Sequence, residues 1–277
     1  MLIDSHAHIN FNAYKDDGDE VIRKSLDNNV WVVNVGSEFK TSQRAVEYAN
    51  RYKEGVYAVV GLHPIHILVE DNNLNRDVDN EDINYREKFD YQKYLELARD
   101  KKVVAIGEVG LDYHHLDDNA TDLEKEIIIQ KQKEVFIEFI KIANEADKPI
   151  MIHCRDAYKD LLDILQNNPV NKKGIIHSFV GSYKTAREFR EMGFKLSFNG
   201  IITYSESYDK VIRDTPIEDI LIETDCPYLT PSPLERYSRN EPMNVKYVLE
   251  KIAKLKDLEL SEAEKMIAEN TKEVLGI

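Results

Sequence analysis

The stretch Leu2-Ile3-Asp4-Ser5-His6-Ala7-His8-Ile9 decides the fold. It reads as a first strand, and the residues at its end separate two architectures. An open doubly wound sheet calls for a glycine-rich phosphate turn after strand one, whereas Ser5-His6-Ala7-His8 stands there. Seven more short β-branched runs follow: Trp31–Val35, Val56–Gly61, Val103–Glu108, Ile150–His153, Gly174–His177, Lys195–Phe198 and Ile220–Glu223. Amphipathic stretches of helical period lie between them. The clearest runs from about Thr121 to Asp147, with Val135, Phe139, Ala143 and Ala146 on one stripe. Alternating strands and helices imply parallel strands joined by helical crossovers. The expected fold is therefore α/β, a single (β/α)8 TIM-type barrel over residues 1–277, with its site at the C-terminal face of the strands.

The polar residues fall on that face. His6 and His8 close strand one and share a side of it, because strand side chains alternate. His63 follows strand three, Glu108 ends strand four, His153 ends strand five, His177 ends strand six, and Asp225 comes just after strand eight. Five of the eight histidines and two carboxylates thus converge on one barrel mouth. Imidazole and carboxylate donors suit Zn, Ni, Fe and Mn. Four histidines with two carboxylates exceed one tetrahedral zinc with an open position. They fit two divalent ions sharing a carboxylate bridge, an arrangement that yields a hydroxide nucleophile and clamps a phosphoryl or acyl oxygen. Asp225 can also accept the water proton, and Glu223 can orient ligands from behind them. Arg155, two residues beyond His153, is either a phosphate contact or half of a structural ion pair. His66, His114 and His115 sit farther into loops and read as surface histidines, of which His114 or His115 can line the pocket. Cys154 and Cys226 each follow a candidate ligand, but alternation turns such neighbours away, so both read as buried inert thiols.

Composition narrows the function classes. Lys and Arg number 37 against 51 Asp and Glu, giving a formal charge of −14, and 42% of residues are hydrophobic. The apolar fraction argues against disorder. Two cysteines do not make a disulfide scaffold and point to reduced thiols in the cytoplasm. No run approaches the ~18 apolar residues of a membrane span, and the amino terminus shows no signal-peptide pattern. The acidity excludes a broad basic face for nucleic acid. It permits a metal-lined pocket that grips one strand end. Two segments break the barrel rhythm. Glu70–Asp82 holds six acids and one base and reads as a surface insertion or a flap over the site. Pro227–Pro242 carries four of the eight prolines with Arg236 and Arg239, and reads as a stiff connector or a substrate contact.

Together these residues resemble the TatD family of metal-dependent deoxyribonucleases, within the amidohydrolase-like barrels. The motifs are Ile3-Asp4-Ser5-His6-Ala7-His8, Gly61-Leu62-His63-Pro64 and Gly107-Glu108-Val109-Gly110-Leu111-Asp112-Tyr113. Pro149-Ile150-Met151-Ile152-His153-Cys154-Arg155-Asp156-Ala157 and Ile176-His177-Ser178-Phe179 follow, then Glu223-Thr224-Asp225-Cys226-Pro227-Tyr228-Leu229 and Arg239-Asn240-Glu241-Pro242. The resemblance implies that His6, His8 and Asp225 hold one metal, His153 and His177 a second, and that Glu108 bridges them. It implies His63 as a contact to substrate phosphate or the nucleophilic water; Arg155 and Arg239 are, from their own chemistry and position, the further expected substrate contacts. The expected catalytic residues are Asp225, Glu108 and His63, with two divalent ions among Mg, Mn, Zn and Ni. The implied activity is hydrolysis of DNA phosphodiester bonds from a strand end, with no membrane and no stable protein partner. The alternative is an ester or amide hydrolase on the same site, such as a D-aminoacyl-tRNA deacylase. Many two-metal amidohydrolases carry a carboxylated Lys after strand four; Glu108 at that position favours the TatD-like branch.

Overall fold

Runs of Val, Ile and Leu that alternate between two buried faces form eight strands in the computed structural model, which describes residues 1–69 and 86–277. The strands are β1 (Leu2–Ala7), β2 (Val30–Val35), β3 (Val56–Val60), β4 (Val103–Asp112), β5 (Ile150–Arg155), β6 (Gly174–Ile176), β7 (Lys195–Phe198) and β8 (Ile220–Ile222). They pair in sequence order, each parallel to the next. The helices are α1 (Gly18–Asp27), α2 (Phe39–Asn50), α3 (Tyr91–Ala98), α4 (Asp122–Glu145), α5 (Tyr158–Asn167), α6 (Tyr183–Glu191), α7 (Asp209–Asp214), α8 (Val245–Lys256) and α9 (Leu260–Leu275). The architecture is the expected (β/α)8 barrel. The acidic stretch Glu70–Asp82 lies outside the described residues. Among those residues no helix is long and apolar enough to cross a membrane.

Strand alternation splits the core in two. Ile3, Val33, Val35, Val59, Ala105, Met151, Ile175 and Leu221 form one buried cluster, as the inward-pointing residues of a barrel should. Their neighbours Val32, Ala58, Ile106, Ile152, Ile176 and Ile222 face outward and pack with helix residues such as Ala45, Phe136, Phe139 and Val248. From α9, Ala268 and Leu275 join the inner cluster, as do Met1 and Trp31 near the amino-terminal ends of β1 and β2. The opposite end is left for polar residues.

Two local features shape that end. Strand β4 does not stop at Glu108 as expected but continues to Asp112. Its register shifts between Ile106 and Val109, after which Val109 to Asp112 pair with Ile152 to Arg155. A Cβ at Gly110 would lie 2.0 Å from the His153 carbonyl oxygen, so the extension needs glycine there. The second feature is the seam between β1 and β8. Asp4, buried, accepts from the Thr224 backbone N–H at 2.9 Å and from its hydroxyl at 2.5 Å. Asp225 N donates to His6 O at 2.9 Å, and His8 N to Cys226 O at 2.8 Å. The bonds that close the barrel thereby set His6, His8 and Asp225 side by side. Helix α4 begins on a Thr121–Glu124 capping box, which satisfies amide groups at its first turn.

Candidate active site

Glu108 occupies the centre of the mouth, and its two oxygens face different groups. Oε2 lies 3.4 Å from His6 Nε2 and 3.9 Å from His8 Nε2. Those two nitrogens are 3.1 Å apart, and Asp225 Oδ1 is 3.6 Å from the first and 3.3 Å from the second. Oε1 lies 2.8 Å from His177 Nε2 and 2.9 Å from His153 Nδ1. The structure thus brings together all six expected metal ligands.

Metal binding is tested by the chemistry of these donors. His8 Nδ1 faces the Val35 carbonyl at 2.8 Å and must donate to it, so neutral His8 turns an Nε2 lone pair toward His6 and Asp225. His177 Nδ1 similarly faces Glu223 Oε1 at 3.1 Å, leaving Nε2 toward Glu108. Lone pairs and carboxylates turned on one another repel unless protons or cations lie between them. Donors bound at ~2.0–2.2 Å to one ion stand roughly 3–3.5 Å apart, and the donor pairs here lie between 2.8 and 3.9 Å, around that spacing. The set fits divalent metal, with Glu223 in the supporting position that ligating histidines usually require.

Protonation directions tell the same story for the metal-free site. Burial raises Glu108, but His177, His63 and His6 together hold its carboxyl well below the usual range. Burial disfavours a charged His177, yet Glu108 and Glu223 push it well above the ordinary histidine value. His153 is raised in the same way, its burial outweighed by bonds to Asp112 and Glu108. His8 is raised by Asp225 against its burial. Burial and then the neighbouring His177 lower His6.

His63 is buried beside these ligands, with Nε2 3.5 Å from Glu108 Oε1 and its ring edge-on to His153. Its Nδ1 accepts the Ile65 N–H at 3.2 Å, so the hydrogen of the neutral ring sits on Nε2. Burial and the nearby His153 hold its pKa well below the ordinary value. His63 is therefore a neutral hydrogen-bond donor at the cavity floor.

A cavity of about 560 Å3 opens above the cluster. Arg155, at the end of β5, lines it and is exposed, with no ion pair among the described residues. Phe11, Ile65, Val180, Ile201 and Tyr228 give the remaining wall an apolar character.

Several residues sit elsewhere than expected. Arg239 does not line the cavity; it grips Asp17 with both nitrogens, at 2.9 and 2.6 Å, and lies over the Tyr14 ring. The adjacent Asn240 donates to Thr224 O and Tyr228 O, so this motif ties the proline-rich loop to the seam. His66 is buried and lines the cavity rather than standing on the surface. His115 also lines the cavity and bonds Asp112 at 2.8 Å, whereas His114 pairs with exposed Asp156. Cys154 and Cys226 are free and buried, and burial pushes both thiols up, consistent with inert cysteines. Sequence reasoning missed Asp112, which is buried at the end of β4 with Oδ2 2.8 Å from His153 Nε2. The available signal was an acid four residues beyond Glu108 in a run otherwise apolar or glycine.

Histidine and carboxylate donors at the carboxyl mouth of a parallel barrel, beneath an open cavity, define a metal-dependent barrel hydrolase. Comparison with known proteins agrees: the family model for TatD-related DNases matches residues 3–276. The chain belongs to that family. It is 40% identical over 281 residues to an uncharacterised metal-dependent hydrolase of Bacillus subtilis, YabD, with the whole of both chains covered. A putative deoxyribonuclease of Danio rerio, tatdn3, is 30% identical over 261 residues, 93% of this chain and 90% of its own. Among solved structures, the TatD homologue YJJV of Escherichia coli matches the fold with a TM-score of 0.78 at 24% identity, covering 100% of this chain and 98% of that one.

Proposed function

We propose that this chain is a deoxyribonuclease that hydrolyses phosphodiester bonds with two divalent ions, removing nucleotides from a strand end. The observation that carries the reading is Glu108, whose two oxygens face separate donor groups at the cavity floor. His6, His8 and Asp225 would hold one ion, His153 and His177 the other, with Glu108 between them. When bound, such ions supply an activated water and offset the negative charge of the phosphodiester. Mg, Mn, Zn and Ni all suit the donors.

The chain's own residues have distinct tasks in this reading. Asp225 accepts the proton of the attacking water. His63 donates its Nε2–H to a phosphate oxygen, and being neutral at physiological pH it does so without repelling the metals. Arg155 offers its guanidinium fork to a non-bridging oxygen. Glu223 keeps His177 in one tautomer. The apolar wall of the cavity accommodates one nucleoside. Arg239 has no part, because Asp17 occupies it. The buried free thiols fit a cytoplasmic enzyme.

The test is cleavage of end-labelled single-stranded DNA by purified protein supplied with Mg²⁺ or Mn²⁺. A ladder shortening one nucleotide at a time is expected. Inactivity with every metal, in protein shown to bind it, would refute the proposal. Faster release of amino acid from D-aminoacyl-tRNA would replace it with the ester-hydrolase reading.

A further inference from the structure

Among the described residues, three aromatic side chains are more than a third exposed: Tyr204 at 42%, Tyr228 at 44% and Tyr237 at 89%. They come from two separate loops, yet all three border one cavity of about 330 Å3. It adjoins the catalytic cavity and shares Ile201, Tyr228 and Leu229 with it. Arg236 also lines it, with its guanidinium carbon 5.1 Å from the Tyr204 ring centre and 5.2 Å from that of Tyr237. Arg239, three residues away, is held by Asp17, but Arg236 has no ion pair among the described residues. An exposed cation over two exposed rings is thus continuous with the hydrolytic site.

The surface is fixed in advance. Tyr204 Oη donates to Thr230 O at 2.8 Å, Thr230 Oγ1 to Ser238 O at 2.5 Å, and Ser232 N to Thr203 Oγ1 at 2.8 Å. The first and third of these bonds lace the proline-rich loop to the segment after β7, and the second ties that loop to itself. Little ordering remains for a ligand to impose.

We infer that this second cavity binds the nucleotides flanking the scissile bond of single-stranded DNA, their bases stacking on the tyrosine rings and a phosphate meeting Arg236. The inference rests on the phosphodiesterase reading above. Stacking requires base faces that a duplex hides, and every base has such a face, so the site favours single strands with little sequence preference. It also suits a chain of charge −14, which cannot grip DNA by neutralising many phosphates. Affinity here comes from stacking, and its salt dependence is shallow, with a log–log slope of about −0.7 for each phosphate contacted.

The experiment compares the unmodified protein with the Arg236→Ala/Tyr237→Ala double variant and with Tyr237→Phe, all loaded with Mn²⁺. For a fluorescent decathymidylate the double variant should raise KM about tenfold while kcat holds, and Tyr237→Phe, which keeps the ring, should match the unmodified protein. Hydrolysis of bis(4-nitrophenyl) phosphate, which needs only the catalytic cavity, should not change. Fluorescence anisotropy in an Asp225→Asn background, where cleavage is slow on the timescale of binding, should show the same tenfold loss of affinity. Unchanged KM and affinity in the double variant, with cleavage intact, would overturn this site and leave the nuclease reading standing. So would tighter binding of a duplex than of the single strand. Failure of the unmodified protein to cleave any DNA would remove both.

Discussion

Asp112 Oδ2 lies 2.8 Å from Nε2 of His153, whose other nitrogen, Nδ1, lies 2.9 Å from Glu108 Oε1. One imidazole is held between two carboxylates, which fixes its plane and raises its affinity for a positive charge. Burial disfavours a charged His153, but its bonds to Asp112 and Glu108 outweigh this and raise its pKa; in the proposed holoenzyme His153 would help hold a metal while Asp112 orients its ring. The β4 extension that carries Asp112 is thus part of the site.

Removing this support should loosen the metal. Asp112→Asn is expected to weaken divalent-ion binding about 10- to 100-fold, with a matching fall in activity at limiting metal and partial recovery at high metal. Competition against a chelating dye measures it. An unchanged affinity would show that His153 needs no such partner.

Metal binding should depend on pH with a definite sign. His8, His153 and His177 have values raised above the ordinary 6.5, so in the metal-free protein they keep protons to higher pH than free histidine. A metal must displace those protons, and its apparent affinity therefore climbs as pH rises through and beyond 6.5. The metal-free fold behaves oppositely: the stability that the raised histidines contribute is complete below 6.5 and fades as pH passes their folded values. Calorimetric titrations in two buffers should reveal proton release. Zero release at neutral pH would contradict the assignment.

Asp225 has a backbone φ of 56°, in the left-handed region that Asp and Asn tolerate better than most residues. Asp225→Asn is therefore expected to keep the fold and its thermal unfolding in chelator, while turnover falls about 100- to 10,000-fold. Near-normal turnover would exclude Asp225 as ligand and proton acceptor.

At the seam, Asp4→Ala leaves two buried Thr224 donors without their acceptor. A loss of about 3 kcal/mol is expected in denaturant unfolding of the metal-free protein. Asp4→Asn retains one acceptor oxygen and should cost less. Equal stability for Asp4→Ala and the unmodified protein would mean that closure does not depend on this residue.

Residue pattern alone supplied much of this molecule. The β-branched runs and their helical intervals gave all eight strands in order, because inside–outside alternation is a local property of the chain. The six donors were legible for a related reason: strand ends in a parallel barrel share one mouth, so His6, His8, Glu108, His153, His177 and Asp225 needed only their positions relative to strands. What tertiary structure decided was pairing. Glu108 was expected to end β4, and only the shifted β4–β5 register extends the strand and aims Asp112 at His153. Arg239 read as a substrate contact because nothing near it in sequence announces Asp17, to which the seam and its loop deliver it. The same holds for Asp4 and Thr224, and for the burial of His66. A donor's chemistry is carried by its own side chain, but its partner is chosen by chain segments that meet only after folding.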